Sequence, residues 1–116
     1  MTKITLIAGG NSISSRLTGI TDYLEETIAS LGFDVQMIQV HQLPAQALIT
    51  ADFSCPEIEA ANQLVSDSAA VIVVSPIFKA SYSGILKTYL DLLPQKVLKD
   101  KITYSVGLGG LSLIHI

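Results

Sequence analysis

The chain has 116 residues, 49% of them apolar and 15% charged, with a formal net charge of −3. That length bounds it to one domain, and the apolar share suits a buried core and argues against disorder. The slight acidity gives no electrostatic reason to expect nucleic acid or an anionic membrane as partner. No apolar run approaches the roughly 20 residues of a spanning helix, and the lone Cys55 excludes an internal disulfide and fits a reducing, cytoplasmic setting.

In chain order, Lys3 to Ala8 reads as a buried strand. A glycine-rich loop follows it instead of a cleavage site, so a first strand is expected and not a signal segment. Leu17, Ile20, Leu24, Ile28 and Leu31 then recur at helical spacing, and Gly32 stands where a helix C-terminal glycine belongs. Phe33 to Val40 alternates, as an edge strand does. After Pro44 the chain reads as irregular up to Ser54-Cys55-Pro56-Glu57, where Ser54 and Glu57 predict a capping box and Ile58, Ala61 and Val65 a buried helical face. Ala69 to Val74 has no polar residue and predicts a central parallel strand. Beyond a polar-aromatic loop, Ile85, Leu86, Tyr89, Leu90 and Leu93 predict a third helix, capped by Ser81 or Ser83 and stopped at Pro94. Lys101 to Val106 gives a fourth strand.

The alternation β-α-β-α-β-α-β implies a parallel sheet with right-handed crossovers. Its short spacings suit the α/β flavodoxin-like, doubly wound order 2-1-3-4-5, truncated here after strand four. Residues 1–110 are expected to form this incomplete domain. Leu111-Ser112-Leu113-Ile114-His115-Ile116 does not continue the pattern and reads as a non-native tail, the in-frame translation of adapter DNA, with a genuine apolar tail as the alternative.

Ligands of open α/β sheets bind beyond the carboxyl ends of the strands, and three segments fall there. Gly9-Gly10-Asn11-Ser12-Ile13-Ser14-Ser15-Arg16 joins strand one to helix one, with Arg16 the only arginine in the chain. It has neither a P-loop's Gly-Lys-Ser/Thr nor a G-x-G-x-x-G pattern. Such a helix start suits a monophosphate better than a pyrophosphate, although serine-rich loops are usually just caps and turns. The second segment, from Ser75-Pro76 to Ser83, has Pro76 to stiffen it and Phe78 and Tyr82 as flat apolar surfaces, which suits a planar ring. The third is Gly107 to Gly110, where a backbone without Cβ atoms can approach a ring edge. His41, His115 and Cys55 do not form metal-ligand spacing. The acidic cluster of a receiver domain is missing, since Ala8-Gly9-Gly10 stands there.

Pro76-Ile77-Phe78-Lys79-Ala80-Ser81-Tyr82-Ser83-Gly84-Ile85-Leu86-Lys87, followed by Leu90-Asp91-Leu92-Leu93-Pro94, resembles the signature of NADPH-dependent FMN reductases, most nearly those of alkanesulfonate utilisation. The resemblance runs from about residue 3 to Gly110. It implies FMN and NADPH as cofactors, a flavin-dependent monooxygenase as the acceptor of reduced FMN, and a homodimer or homotetramer. By position it nominates Gly10, Ser12, Ser15 and Arg16 at the phosphate, Pro76, Ile77, Phe78, Lys79, Ala80 and Ser81 along the ring, and Gly109 and Gly110 at its far edge. The first loop departs from the family's Gly-Ser-x-Arg-x-x-Ser, with Gly10 and Ser12 at the serine and arginine positions, and Arg16 is placed to supply the missing charge. Relatives commonly have tyrosine at the position of Phe78. Hydride transfer between the cofactors requires no catalytic acid or base of the protein. The alternatives are an FMN-containing quinone or azo reductase and a flavodoxin-like electron carrier.

Overall fold

The computed structural model describes residues 2–11 and 16–109. The elements are β1 (Lys3–Ala8), α1 (Leu17–Ser30), β2 (Asp34–Gln39), a 3₁₀ turn (Val40–Gln42), α2 (Ala45–Thr50), α3 (Pro56–Asp67), β3 (Ala70–Phe78), β4 (Ser81–Tyr82), α4 (Gly84–Leu90) and β5 (Ile102–Leu108). The parallel strands stand in the order β2-β1-β3-β5, and β4 is a two-residue antiparallel partner of β3. The doubly wound α/β sheet expected from the alternation is therefore present, with β5 as its fourth parallel strand. The expected boundary at Gly110 and the tail Leu111–Ile116 lie outside the described residues.

β1 pairs β2 from Lys3↔Asp34 to Ala8↔Gln39 and β3 from Ile4↔Ala70 to Ala8↔Val74, so it lies inside the sheet with β2 at the edge. Right-handed crossovers then place α3 and α4 on one face and α1 on the other. The main core fills the first face: Ile7 and Val71 pack with Ile58, Ala61 and Val65 of α3 and with Leu86, Tyr89 and Leu92 around α4. The Thr5 hydroxyl is buried there beside that of Ser68, 2.5 Å away, at the foot of α3. On the other face α1 is thinner cover. Leu17 and Thr21 are buried, while Ile20, Leu24 and Ile28 are half-buried and Leu31 is exposed past the helix end. Gly32, at φ +95°, ends α1 as its sequence position predicts.

Four local expectations are corrected. The segment after Pro44 contains α2, a two-turn helix anchored by Ala47 and Leu48 and too short to show a helical period. The capping box does not form: Cys55 is the N-cap of α3, and the Ser54 hydroxyl and amide both donate to Asp52 Oδ1, at 2.7 and 3.0 Å. α4 ends at Leu90, and its chain tightens through Leu92 N–H to Tyr89 O (2.9 Å) and Leu93 N–H to Leu90 O (3.2 Å), which turns Leu92 inward instead of Leu93. Finally, β3 does not stop at Ser75-Pro76 but runs on to Phe78.

Pro76 permits that extension for a geometric reason. Val74 accepts a bond from Gly9 N–H at 2.8 Å, so its backbone polar groups face β1. Two residues on, Pro76 faces the same way, past the last β1–β3 pair, where no ladder donor is needed. On its other side β3 is held by β5 as far as Ser75↔Gly107 and Pro76↔Leu108.

Candidate functional site

At the carboxyl end of the sheet the chain makes a tight hairpin. Ile77 pairs Tyr82 and Phe78 pairs Ser81, so Lys79 and Ala80 form a two-residue turn. Both have positive φ, +51° and +62°, as a type I′ hairpin demands. That turn normally recruits asparagine and glycine. Here it is built from a lysine and an alanine, each held in a left-handed conformation that costs about 1–2 kcal/mol for a residue with a Cβ. The tip is open to solvent, with Phe78 51% and Tyr82 45% exposed.

Ser83 ties the hairpin to the rest of the site. It is the N-cap of α4, and its hydroxyl accepts from Leu86 N–H at 3.2 Å and donates to the Gly9 carbonyl at 2.7 Å. Its own N–H donates to Ser75 Oγ at 2.9 Å, and the Ser75 hydroxyl donates to Pro76 O at 2.8 Å. Gly9 must be a glycine here, because a Cβ would stand 2.8 Å from Leu86 Cβ and 3.1 Å from Ser83 Oγ.

Beneath the hairpin, between α4 and β5, lies a cleft of about 620 Å³. Its walls are Val73, Ile77, Leu86 and Leu90 on the apolar side, with Ser75, Ser81, Ser105 and Gly107 among the polar or small residues and Tyr82 at the lip. Of the residues singled out along the ring segment, Ile77, Ala80 and Ser81 line this cleft, whereas Pro76, Phe78 and Lys79 do not. Phe78 falls on the hairpin face opposite Ile77, because successive strand side chains alternate. Arg16 is exposed at the N-cap of α1 and does not line the cleft; Gly10 is buried beside Gly9. Gly109 is half-buried just past β5. Ser12, Ser15 and Gly110 lie outside the described residues. Lys87 pairs with Asp91 on the exposed side of α4, as expected of a surface lysine, and that contact raises its pKa.

Ser75, Ser83 and Gly107 lie within the segments singled out from the sequence but were not among the nominated contacts, because they act through hydrogen bonds and close packing that no local pattern announces. Among the described residues no group of three His, Cys, Asp or Glu side chains is placed to hold a metal, and no helix is long and apolar enough to cross a membrane.

A parallel sheet in the order β2-β1-β3-β5, with a helix start, an aromatic hairpin and a glycine strand end at its carboxyl edge, defines a flavodoxin-like fold. Residues 2–113 match the NADPH-dependent FMN reductase family, and the chain belongs to it. It is 36% identical over 113 residues to the FMN reductase (NADPH) of Pseudomonas putida KT2440, covering 97% of this chain and 57% of that protein. To the FMN reductase (NADPH) of Escherichia coli K12 it is 30% identical over 108 residues, covering 93% and 56%. The crystal structure of an NADH:FMN oxidoreductase (EMOB) in its apo form superposes with a TM-score of 0.88 at 30% identity, over 98% of this chain and 62% of that one. The chain thus spans little more than half the length of the curated relatives it matches.

Proposed function

We propose that this chain carries the flavin-binding part of an NAD(P)H-dependent FMN reductase. The observation that supports it most is the meeting of the 76–82 hairpin with the end of β5, while the start of α1 opens from the same end of the sheet. The residues fit FMN. Arg16, at the start of a 14-residue helix, offers charge to a phosphate. The exposed rings of Phe78 and Tyr82 offer flat faces, and the largely apolar cleft beneath them offers a dry wall.

In this reading Gly10, Ser12, Ser15 and Arg16 hold the phosphate. Pro76, Ile77, Phe78, Lys79, Ala80 and Ser81 lie along the ring, and Gly109 and Gly110 border its far edge. When bound, FMN supplies the hydride-accepting chemistry. The chain's residues then bind, orient and exclude water: the hairpin's left-handed turn fixes the backbone before ligand arrives, and Ile77, Leu86 and Val73 keep the cleft dry.

We further infer that the whole protein is a cytoplasmic homodimer or homotetramer and hands reduced FMN to a flavin-dependent monooxygenase of sulfur assimilation. The 76–94 motif and the single buried cysteine support this reading.

Titration of FMN fluorescence with the purified chain tests the binding reading, with saturable quenching expected; loss of NADPH absorbance on adding free FMN tests the reductase. Absence of quenching would sink the flavin site. Turnover only with a quinone or azo dye, with flavin never released, would favour the tightly bound quinone or azo reductase. Binding without any nicotinamide oxidation would favour the electron carrier.

A further inference from the structure

Ile77 pairs Tyr82 and Phe78 pairs Ser81, so the next pair down the hairpin ladder is Pro76 with Ser83. Bonded and open pairs alternate in an antiparallel ladder, and the pair beside a two-residue turn is a bonded one. Pro76–Ser83 is therefore a bonding rung, and the proline leaves it a single bond to make, from Ser83 N–H to Pro76 O. A hydroxyl is inserted there instead. Ser83 N–H donates to Ser75 Oγ at 2.9 Å, and the Ser75 hydroxyl donates to Pro76 O at 2.8 Å. Ser75 and Ser83 are 4% and 0% exposed, so water does not compete for these bonds. Leu86, three residues beyond the cap of α4, is apolar and cannot reach back to the Ser83 amide as a capping box would. The two feet of the hairpin are thus joined through one side chain.

We propose that Ser75 is a positioning residue whose hydroxyl wedges the base of the hairpin open and so sets the width of the ring-binding cleft beneath it. The inference rests on the flavin reading above. Both arms of the hairpin line that cleft, Ile77 from one and Ser81 and Tyr82 from the other, with Ser75 at the base. The ladder joins the arms nearer the tip, and the Ser83 hydroxyl fixes the start of α4 on Gly9 O; neither sets the spacing of the feet. A direct rung would draw its N and O to about 2.9 Å, whereas the inserted hydroxyl holds them a bond further apart. Removing the hydroxyl lets the feet bond to each other, so stability is kept while the arms pinch inward. Loss of an ordinary buried hydrogen bond does the reverse, lowering stability and leaving the cleft its width.

The experiment compares the wild-type chain with Ser75→Ala and with Ser75→Thr, which keeps the hydroxyl. Fluorescence quenching reads FMN and riboflavin affinities, thermal melts read stability, and NMR reads the coupling across a direct Ser83 N–H to Pro76 O bond. The expected result for Ser75→Ala is a roughly tenfold fall in affinity, equivalent to about 1.4 kcal/mol. The fall should be the same for both flavins, because the altered contact is to the ring they share. The melting temperature should stay nearly unchanged, the direct coupling should appear, and Ser75→Thr should bind as the wild type does. A folded Ser75→Ala with undiminished affinity overturns the positioning role and leaves the flavin site standing, as does a loss confined to FMN. A Ser75→Ala that is destabilised or unfolded, with no direct coupling, also overturns it, since the direct rung should replace the lost bonds. A wild type that binds neither flavin overturns both readings.

Discussion

A Cβ on Gly107 would stand 2.8 Å from Ile77 Cδ1, so the bare backbone at position 107 lets the Ile77 side chain lie against β5 at the mouth of the cleft. The obstructing atom is the end of a flexible side chain, so Gly107→Ala should be tolerated at a cost of about 1–2 kcal/mol, typical of overpacking. The urea midpoint should fall accordingly, and adding Ile77→Val, which removes Cδ1, should restore most of the loss. A double variant no more stable than Gly107→Ala would show that the contact is not the cause.

Ala80 holds φ at +62° in the hairpin turn. Replacing it with glycine removes the Cβ penalty but adds unfolded-state freedom, so Ala80→Gly should stabilise by about 0.5–1 kcal/mol. Ala80→Val should destabilise by more than about 1 kcal/mol, since a branched side chain fits that region worst. Thermal melts of the two variants should move in opposite directions; a shift in the same direction would contradict the turn geometry.

Tyr89 is fully buried, and its hydroxyl donates to Asn62 Oδ1 at 2.9 Å. Burial pushes its phenol well above the ordinary tyrosine value. The folded state therefore favours the neutral ring. This contribution is full below the unfolded pKa of about 10 and is lost as pH rises beyond it toward the folded value. Between about pH 9 and about pH 11 wild-type stability should fall more steeply than that of Tyr89→Phe, which at neutral pH should cost about 1 kcal/mol for the lost bond. Parallel pH profiles would remove Tyr89 from the explanation.

The sheet was legible because its signals are long. The unbroken apolar run to Val74 marks a strand with a neighbour on each side, and the alternation after Phe33 marks an edge. Short elements were not: α2 offers two buried residues, fewer than a helical period needs. The Ser54–Glu57 pattern failed because Asp52 competes for the same serine. Within the site, the 76–81 segment was visible through its composition, yet its hairpin form was hidden, since Lys79-Ala80 is not a sequence that announces a left-handed turn. The Ser75–Ser83–Gly9 circuit joins residues remote in the chain, and no local pattern encodes it.

The Ser83–Gly9 bond spans 74 positions, which has a consequence during synthesis. At about 5–20 residues per second, roughly 4–15 s pass between the emergence of its two ends. From the completion of β2 at Gln39 until β3 begins at Ala70, β1 has β2 for a neighbour and an open edge where β3 will dock, so a nascent apolar ribbon waits at the ribosome for its second partner. Slow codons placed before residue 70 would prolong that wait, and a chaperone that grips exposed strands would find its window there.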